Sequence, residues 1–276
     1  MSTLVHVLHV VMTPIFEVIT WPFRSLAPVW ALTAISAGAG IFLVWLFGKT
    51  SDQEQIKAVR DRIRGNLIGV RLFQHDIGVV LGLQRRIFTD TFGFMRLALV
   101  PLLVMLVPVV LIMTQLALRF DVRPLSPGES VVLKAIVRDA SLLDQPLSLE
   151  APHGVTVETP PVRVRTNPEV AWRVRVDTAG DHVLLVHIGD EALEKGLSGG
   201  GGWRSIGQLR TTNPLDALLY PGEPPIDAGH PIETIEVAYP PLEMSLLGFG
   251  VNWLIGFFVF SMFFGFAFKG VLGVEV

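Results

Sequence analysis

Residues 97–118 read LALVPLLVMLVPVVLIMTQLAL, with no Asp, Glu, Lys or Arg among them. Coiled as a helix at about 1.5 Å per residue, this stretch crosses a hydrocarbon core of roughly 30 Å. Backbone amides placed in lipid must be satisfied within the segment itself, which a helix does. Two more apolar runs frame it, Val29–Phe47 before and Leu246–Phe268 after. The pattern predicts transmembrane helices over 28–47, 97–118 and 246–268, closed by a short tail, 269–276, and so an α-helical integral membrane protein.

Charge sets the expected orientation. Nine of the 22 Lys and Arg residues fall in Gly48–Arg96, which carries five acidic residues and a net +4. Residues 119–245 carry eleven basic and eighteen acidic residues, a net −7. Cationic loops stay on the cytoplasmic side and face its anionic headgroups. Residues 48–96 are therefore expected inside and 119–245 outside, with Lys269 ending the last span inside. The acidic outer part speaks against nucleic acid as a partner. Half the residues are hydrophobic and 17% are charged, and the mean hydropathy is +0.52. Those values suit a chain that is part membrane and part aqueous domain. With no cysteine, disulfides, zinc–thiolate sites and thiol nucleophiles are excluded.

Residues 1–27 read as an amphipathic helix lying in the outer interface. Leu4–Trp21 is apolar but broken by His6, His9, Pro14 and Glu17, and Trp21 and Trp30 suit headgroup depth. The alternative is a further span. No Lys or Arg precedes the stretch, so it does not read as a cleaved signal.

Segment 48–96 reads as a basic cytoplasmic helical hairpin. Thr50, Ser51 and Asp52 are N-cap candidates. Ile56, Val59, Ile63 and Leu67 then recur at helical spacing, pause at Phe73–Asp76, and give way to Ile77, Val80, Leu81, Ile87 and Phe88. Lys57, Arg60, Arg64, Arg71, Arg85 and Arg86 are its expected contact residues. In the second span Pro101 and Pro108 lie on nearly one face and can kink it. Arg119 is expected to close that span by snorkelling to the interface, leaving no charge within any span. The polar and small groups expected inside the bundle are Thr33, Ser36, Gln115, Asn252, Gly256 and Ser261, with Asn252 a possible partner for Gln115. Ala34, Ser36, Gly38 and Gly40 would let another helix approach the first span closely.

From Phe120 the period changes to two. Val131–Val137, Leu147–Glu150, Val155–Val157, Val162–Val164, Val170–Val176 and Val183–Ile188 read as strands, and Arg163, Arg165, Arg173 and Arg175 alternate with Val. They predict an extracytoplasmic, immunoglobulin-like β-sandwich over 119–195, with Trp172 in it. Residues 196–245 are expected to hold a flexible loop at Ser198–Gly202, a short helix capped by Asn213, and a strand over Ile232–Ala238.

Catalytic patterns do not emerge. The glycine run lacks the Lys-Ser/Thr of a phosphate loop, and His6 with His9 is a weak metal pair. His75, His153, His182, His187 and His230 are scattered. No carboxylate pair or nucleophile–base pattern stands out, so neither an enzyme nor a bound cofactor or metal is expected.

The first 118 residues resemble the YidC/Oxa superfamily of membrane insertases, in particular its small archaeal members and relatives in the ER membrane protein complex. The likeness is carried by Phe47-Gly48-Lys49, by Thr50-Ser51-Asp52-Gln53-Glu54-Gln55-Ile56-Lys57 with the basic hairpin, and by a second span entered through Met95-Arg96 and holding Pro101 and Pro108. An interfacial helix before the first span and the last span fit the same layout; the β-sandwich is an insertion into it. The resemblance implies a groove, roofed by the hairpin, that eases short hydrophilic segments across the bilayer. The expected function is an insertase-like or chaperone-like factor in membrane protein biogenesis in the bacterial inner membrane, with the lipid bilayer and membrane protein clients as partners. The alternative is an accessory subunit of a membrane complex, holding a partner through its β-domain.

Overall fold

The computed structural model describes residues 2–246 and 248–274, with side chains from Val11 onward. In chain order the helices are α1 (Ser2–Thr20), α2 (Pro28–Thr50), α3 (Gln53–Leu72) and α4 (Ile77–Phe120). Strands β1 (Ser130–Val137), β2 (Leu147–Glu150), β3 (Val155–Val157), β4 (Val162–Val164), β5 (Glu169–Val176), β6 (Gly180–Ile188), β7 (Glu191–Gly199) and β8 (Leu209–Thr211) follow. Helix α5 (Pro214–Leu219), strands β9 (Ile232–Val237), β10 (Met244–Leu246) and β11 (Phe249–Val251), and helix α6 (Trp253–Phe268) complete the fold. The chain divides into two compact units, residues 1–32 with 113–253, and residues 33–112 with 254–276.

Helices α2 and α4 are long and apolar enough to cross a membrane. Helix α6 is apolar but has 16 residues, about 24 Å of rise. It begins at Trp253, not at 246. Strands β10 (Met244–Leu246) and β11 (Phe249–Val251) pair as an antiparallel hairpin, and Gly248 in its turn has φ +85°, a conformation glycine adopts without strain. The apolar run 246–268 is thus a hairpin followed by a helix.

Asp52 caps α3, its carboxylate accepting from Gln55 N–H at 3.0 Å, and Ile56 and Val59 are buried. After the turn at 73–76, Asp76 accepts from Val79 N–H at 3.1 Å and starts α4. That helix then runs 44 residues without interruption, about 66 Å. The second hairpin arm and the apolar stretch 97–118 are therefore one continuous helix. The change at Arg96–Leu97 is one of chemistry and not of backbone, and Pro101 and Pro108 do not end the helix. Beyond α6, Lys269 sits 5.5 Å from the Phe266 ring centroid. In the tail, Val274 Cγ2 lies 2.5 Å from where a Cβ on Gly48 would be.

All six expected strands form. They build a sandwich-like pair of antiparallel sheets, one ordered β3-β5-β1-β9-β8 with β4 also on β5, the other β2-β6-β7. Strands β3 and β4 share one edge of β5, separated by Pro160-Pro161, which cannot donate to a ladder. Leu133, Trp172, Val174, Leu184, Val186 and Ile235 fill one core between the sheets, while Arg173 points outward to Glu158 at 3.0 Å.

The domain does not stop at 195. That position lies inside β7, and β9 pairs with the central strand β1. Nor is Ser198–Gly202 a free loop: Gly199 ends β7, and Gly200 N–H donates to Leu125 O at 2.7 Å. Among the described residues β7 has no strand on its outer edge, and side chains and loops cover it. Glu223 accepts from Gly196 N–H at 2.8 Å, Tyr239 Oη accepts from Ser198 N–H at 2.8 Å, and Arg210 donates to Glu194 O at 2.6 Å. An edge satisfied in this way resists pairing with another chain. Lys195 is 0% exposed and donates to Glu223 at 2.9 Å and to Gly207 O at 2.7 Å. Burial pushes its ammonium below the ordinary lysine range, opposed by the Glu223 carboxylate. Burial likewise raises the Tyr239 phenol.

Candidate functional site

Two polar constellations stand out, one in each unit. The first centres on Arg119 at the end of α4. Its side chain is 1% exposed, so it does not snorkel to water. The guanidinium donates to Gln115 Oε1 at 2.9 Å and Gln115 O at 3.0 Å, to Thr13 O at 3.3 Å, and to Glu17 at 3.1 Å. It also lies 5.7 Å from the Phe16 ring centroid. Burying an arginine without such partners would cost several kcal/mol, so α1 is held to the last turn of α4 by this pairing. Glu17 also binds Arg24 and accepts from Ser205 at 3.2 Å. Trp203 donates to Leu26 O at 3.2 Å and stacks on Phe120 with ring centroids 5.2 Å apart. The segment after the glycine run thereby clamps α1 and α4 together. One residue beyond α4, Asp121 accepts from Trp253 at 2.9 Å and Gln208 at 3.2 Å.

The residues expected inside the bundle separate by role. Gln115 is buried and its amide engages Thr13 and Arg119. Asn252 is exposed and lies beside the β10–β11 hairpin, ahead of α6. Ser36, Gly256 and Ser261 are buried, and Thr33 is half-buried. Gly40 marks a close crossing of α2 and α6, because a Cβ there would stand 2.1 Å from Ser261 O. Gly40 thus does what the small-residue pattern predicts, whereas Ala34 and Gly38 are exposed. The side chains of His6 and His9 lie outside the described residues. Among the described residues no group of three or more His, Asp or Glu is placed to hold a metal.

The second constellation is a cleft of about 750 Å³ between the hairpin arms. Arg62, Gly65 and Asn66 line it from α3, and Gly82, Arg85, Arg86, Thr89 and Asp90 from α4. Each set has helical spacing of three and four, so each forms one face. Asp90 accepts from Asn66 Nδ2 at 3.4 Å and pairs with Arg62 Nε at 3.4 Å. Arg85 and Arg86, expected as hairpin contacts, both line the cleft. Lys57, Arg60, Arg64 and Arg71 lie outside it. Arg62, Asn66 and Asp90 were not singled out from sequence; the signal was their matched i, i+4 spacing across two helices.

The exposed face of α4 carries an apolar stripe. Leu81, Phe88, Phe92, Met95, Leu99, Leu102 and Leu106 are all exposed, with Phe88 at 77% and Phe92 at 74%. From Phe88 onward they alternate spacings of four and three, the period of a helix-packing seam. The stripe runs from the hairpin into the apolar stretch without a break.

No protein-family model, curated protein or solved structure matches this chain.

Proposed function

We propose that the chain is a non-enzymatic membrane protein biogenesis factor of the bacterial inner membrane. In this reading α2, α4 and α6 all span the bilayer, the hairpin is cytoplasmic, and client apolar segments travel along α4 into the lipid. The observation that carries it is the stripe from Phe88 to Leu106 on one unbroken helix. Below the apolar stretch, Phe88 and Phe92 stand in a basic, hydrated hairpin, where an exposed aromatic side chain forfeits about 1.5–3 kcal/mol of burial. A passing apolar segment would recover that energy. A photo-crosslinker at position 88 or 92 should capture nascent membrane proteins during translation, and one at Arg64 should not. Equal capture at all three positions, or none, would remove the basis of the reading.

A second reading, an accessory subunit that holds a partner through an immunoglobulin-like β-domain, is favoured by the burial of Ser36, Gln115 and Ser261. Burial of this kind supports helix packing over an open polar groove. Stoichiometric co-purification with one complex, without client crosslinks, would select it.

A further inference from the structure

We infer that the cleft between the hairpin arms is a binding site for a phosphate-bearing anion of headgroup size. The inference rests on the hairpin alone and stands whether or not clients use α4. Three guanidinium groups, Arg62, Arg85 and Arg86, line the cleft against one carboxylate, Asp90. Among the described residues Arg85 and Arg86 form no ion pair, while Asp90 is engaged by Arg62 and Asn66. The planar, five-donor guanidinium matches phosphate oxygens bidentately, and the second amide proton of Asn66, whose first goes to Asp90, adds a neutral donor.

The shape of the cleft is set by glycine. Toward the hairpin tip the arms close, since a Cβ on Gly69 would stand 3.0 Å from Leu83 Cδ1. At Gly65 and Gly82 a Cβ would meet nothing within 4 Å, so the space beside them is open. The arms are bridged again where Arg62 and Asn66 reach Asp90. The result is an open cationic cleft, and about 750 Å³ lies within the range of small-molecule sites. Asp90 and Arg86 lie about 10 and 16 Å along α4 from Leu97, whereas a headgroup layer is roughly 5–8 Å deep. A lipid phosphate has to rise out of that layer to reach Arg85 and Arg86, whereas a soluble organic phosphate can fill the whole length.

The test uses the full chain. In nanodiscs of phosphatidylcholine with or without phosphatidic acid, native mass spectrometry counts retained lipid. In micelles, a titration with glycerol 3-phosphate or inorganic phosphate, read by thermal shift, reports soluble binding. Saturable binding in either arm supports the site and names its source. Arg85→Gln with Arg86→Gln should weaken it at least about tenfold, while Arg64→Gln with Arg71→Gln, which removes the same charge outside the cleft, should leave it unchanged. Gly65→Leu with Gly82→Leu fills the space, keeps every charge and favours helix; it too should abolish saturable binding. Equal losses in the two arginine pairs, retained binding in the leucine variant, or no saturable binding in either arm would overturn the inference.

Discussion

Replacing Glu223 with alanine should unfold the β-domain far more readily than its surface position in sequence suggests. Lys195 is 0% exposed, and its ammonium has Glu223 at 2.9 Å and Gly207 O at 2.7 Å. Removing the carboxylate leaves a buried cation with one neutral acceptor, and such broken pairs cost about 3–5 kcal/mol. Gly196 N–H, which donates to the other carboxylate oxygen at 2.8 Å, loses its partner as well. Since domains have about 5–15 kcal/mol in all, the change removes a large share. With a urea slope of about 2 kcal/mol/M, the midpoint should fall by roughly 1.5–2.5 M. Glu223→Gln keeps an acceptor for Gly196 and should cost about half as much. Lys195→Met leaves a carboxylate that is 16% exposed and partly hydrated, so it should cost about 1–3 kcal/mol. The double variant Lys195→Met with Glu223→Gln should recover part of the sum, with a coupling of about 1–3 kcal/mol. Urea unfolding of the full chain in detergent, followed by tryptophan fluorescence, measures each midpoint; Trp172 reports from the sandwich core. A shift under about 0.3 M for Glu223→Ala, or strict additivity in the cycle, would refute the buried-pair reasoning.

Other outcomes follow from the same packing. A soluble fragment of residues 119–195 should stay unfolded, because it cuts β7 and omits β9, the partner of β1; residues 121–243 should give a β-type circular dichroism spectrum and a cooperative melt. Gly40→Val should disrupt the α2–α6 crossing, since the obstructing atom 2.1 Å away is backbone and cannot rotate aside; lost protease resistance in detergent would register it. The Arg123 guanidinium, with help from Ser126 N–H, holds the Glu129 carboxyl below its ordinary value of 4.5. A depressed carboxylate stabilises the fold above the unfolded value, and that contribution disappears as pH falls through the folded one. Urea midpoints should therefore drop on acidification below about pH 4.5, and Glu129→Gln should flatten that slope.

How far the sequence spoke can be traced residue by residue. The six strands from Val131 to Ile188 were legible because Val alternates with polar side chains at period two. Strand β7 was not, because its inward position 195 is a lysine and its end is glycine; both read as surface or loop until Glu223 supplies a buried partner. The unbroken α4 was hidden by its own composition, since the change from basic to apolar at Arg96–Leu97 looks like a boundary and Pro101 looks like a break. The hairpin ahead of α6 had a signal in Gly248 and Gly250, outweighed by the apolar residues around them. Arg119 pairs with Glu17 across 102 residues of chain, a distance over which local patterning carries no information. Of the candidate site residues, Arg85 and Arg86 were found by their charge, while Gly65 and Gly82 were not, since absent side chains leave only their spacing to read.

Insertion itself is the most direct test of the proposed role. Purified chain is reconstituted in liposomes, and a single-span test protein with a short translocated tail is synthesised in their presence. The protease-protected fraction is then compared with that in empty liposomes. The account predicts more protection with the chain, and its loss when Phe88 and Phe92 are both changed to aspartate in a protein that still melts cooperatively. Protection no greater than in empty liposomes would contradict a biogenesis role, and full activity of the aspartate variant would contradict the path along α4.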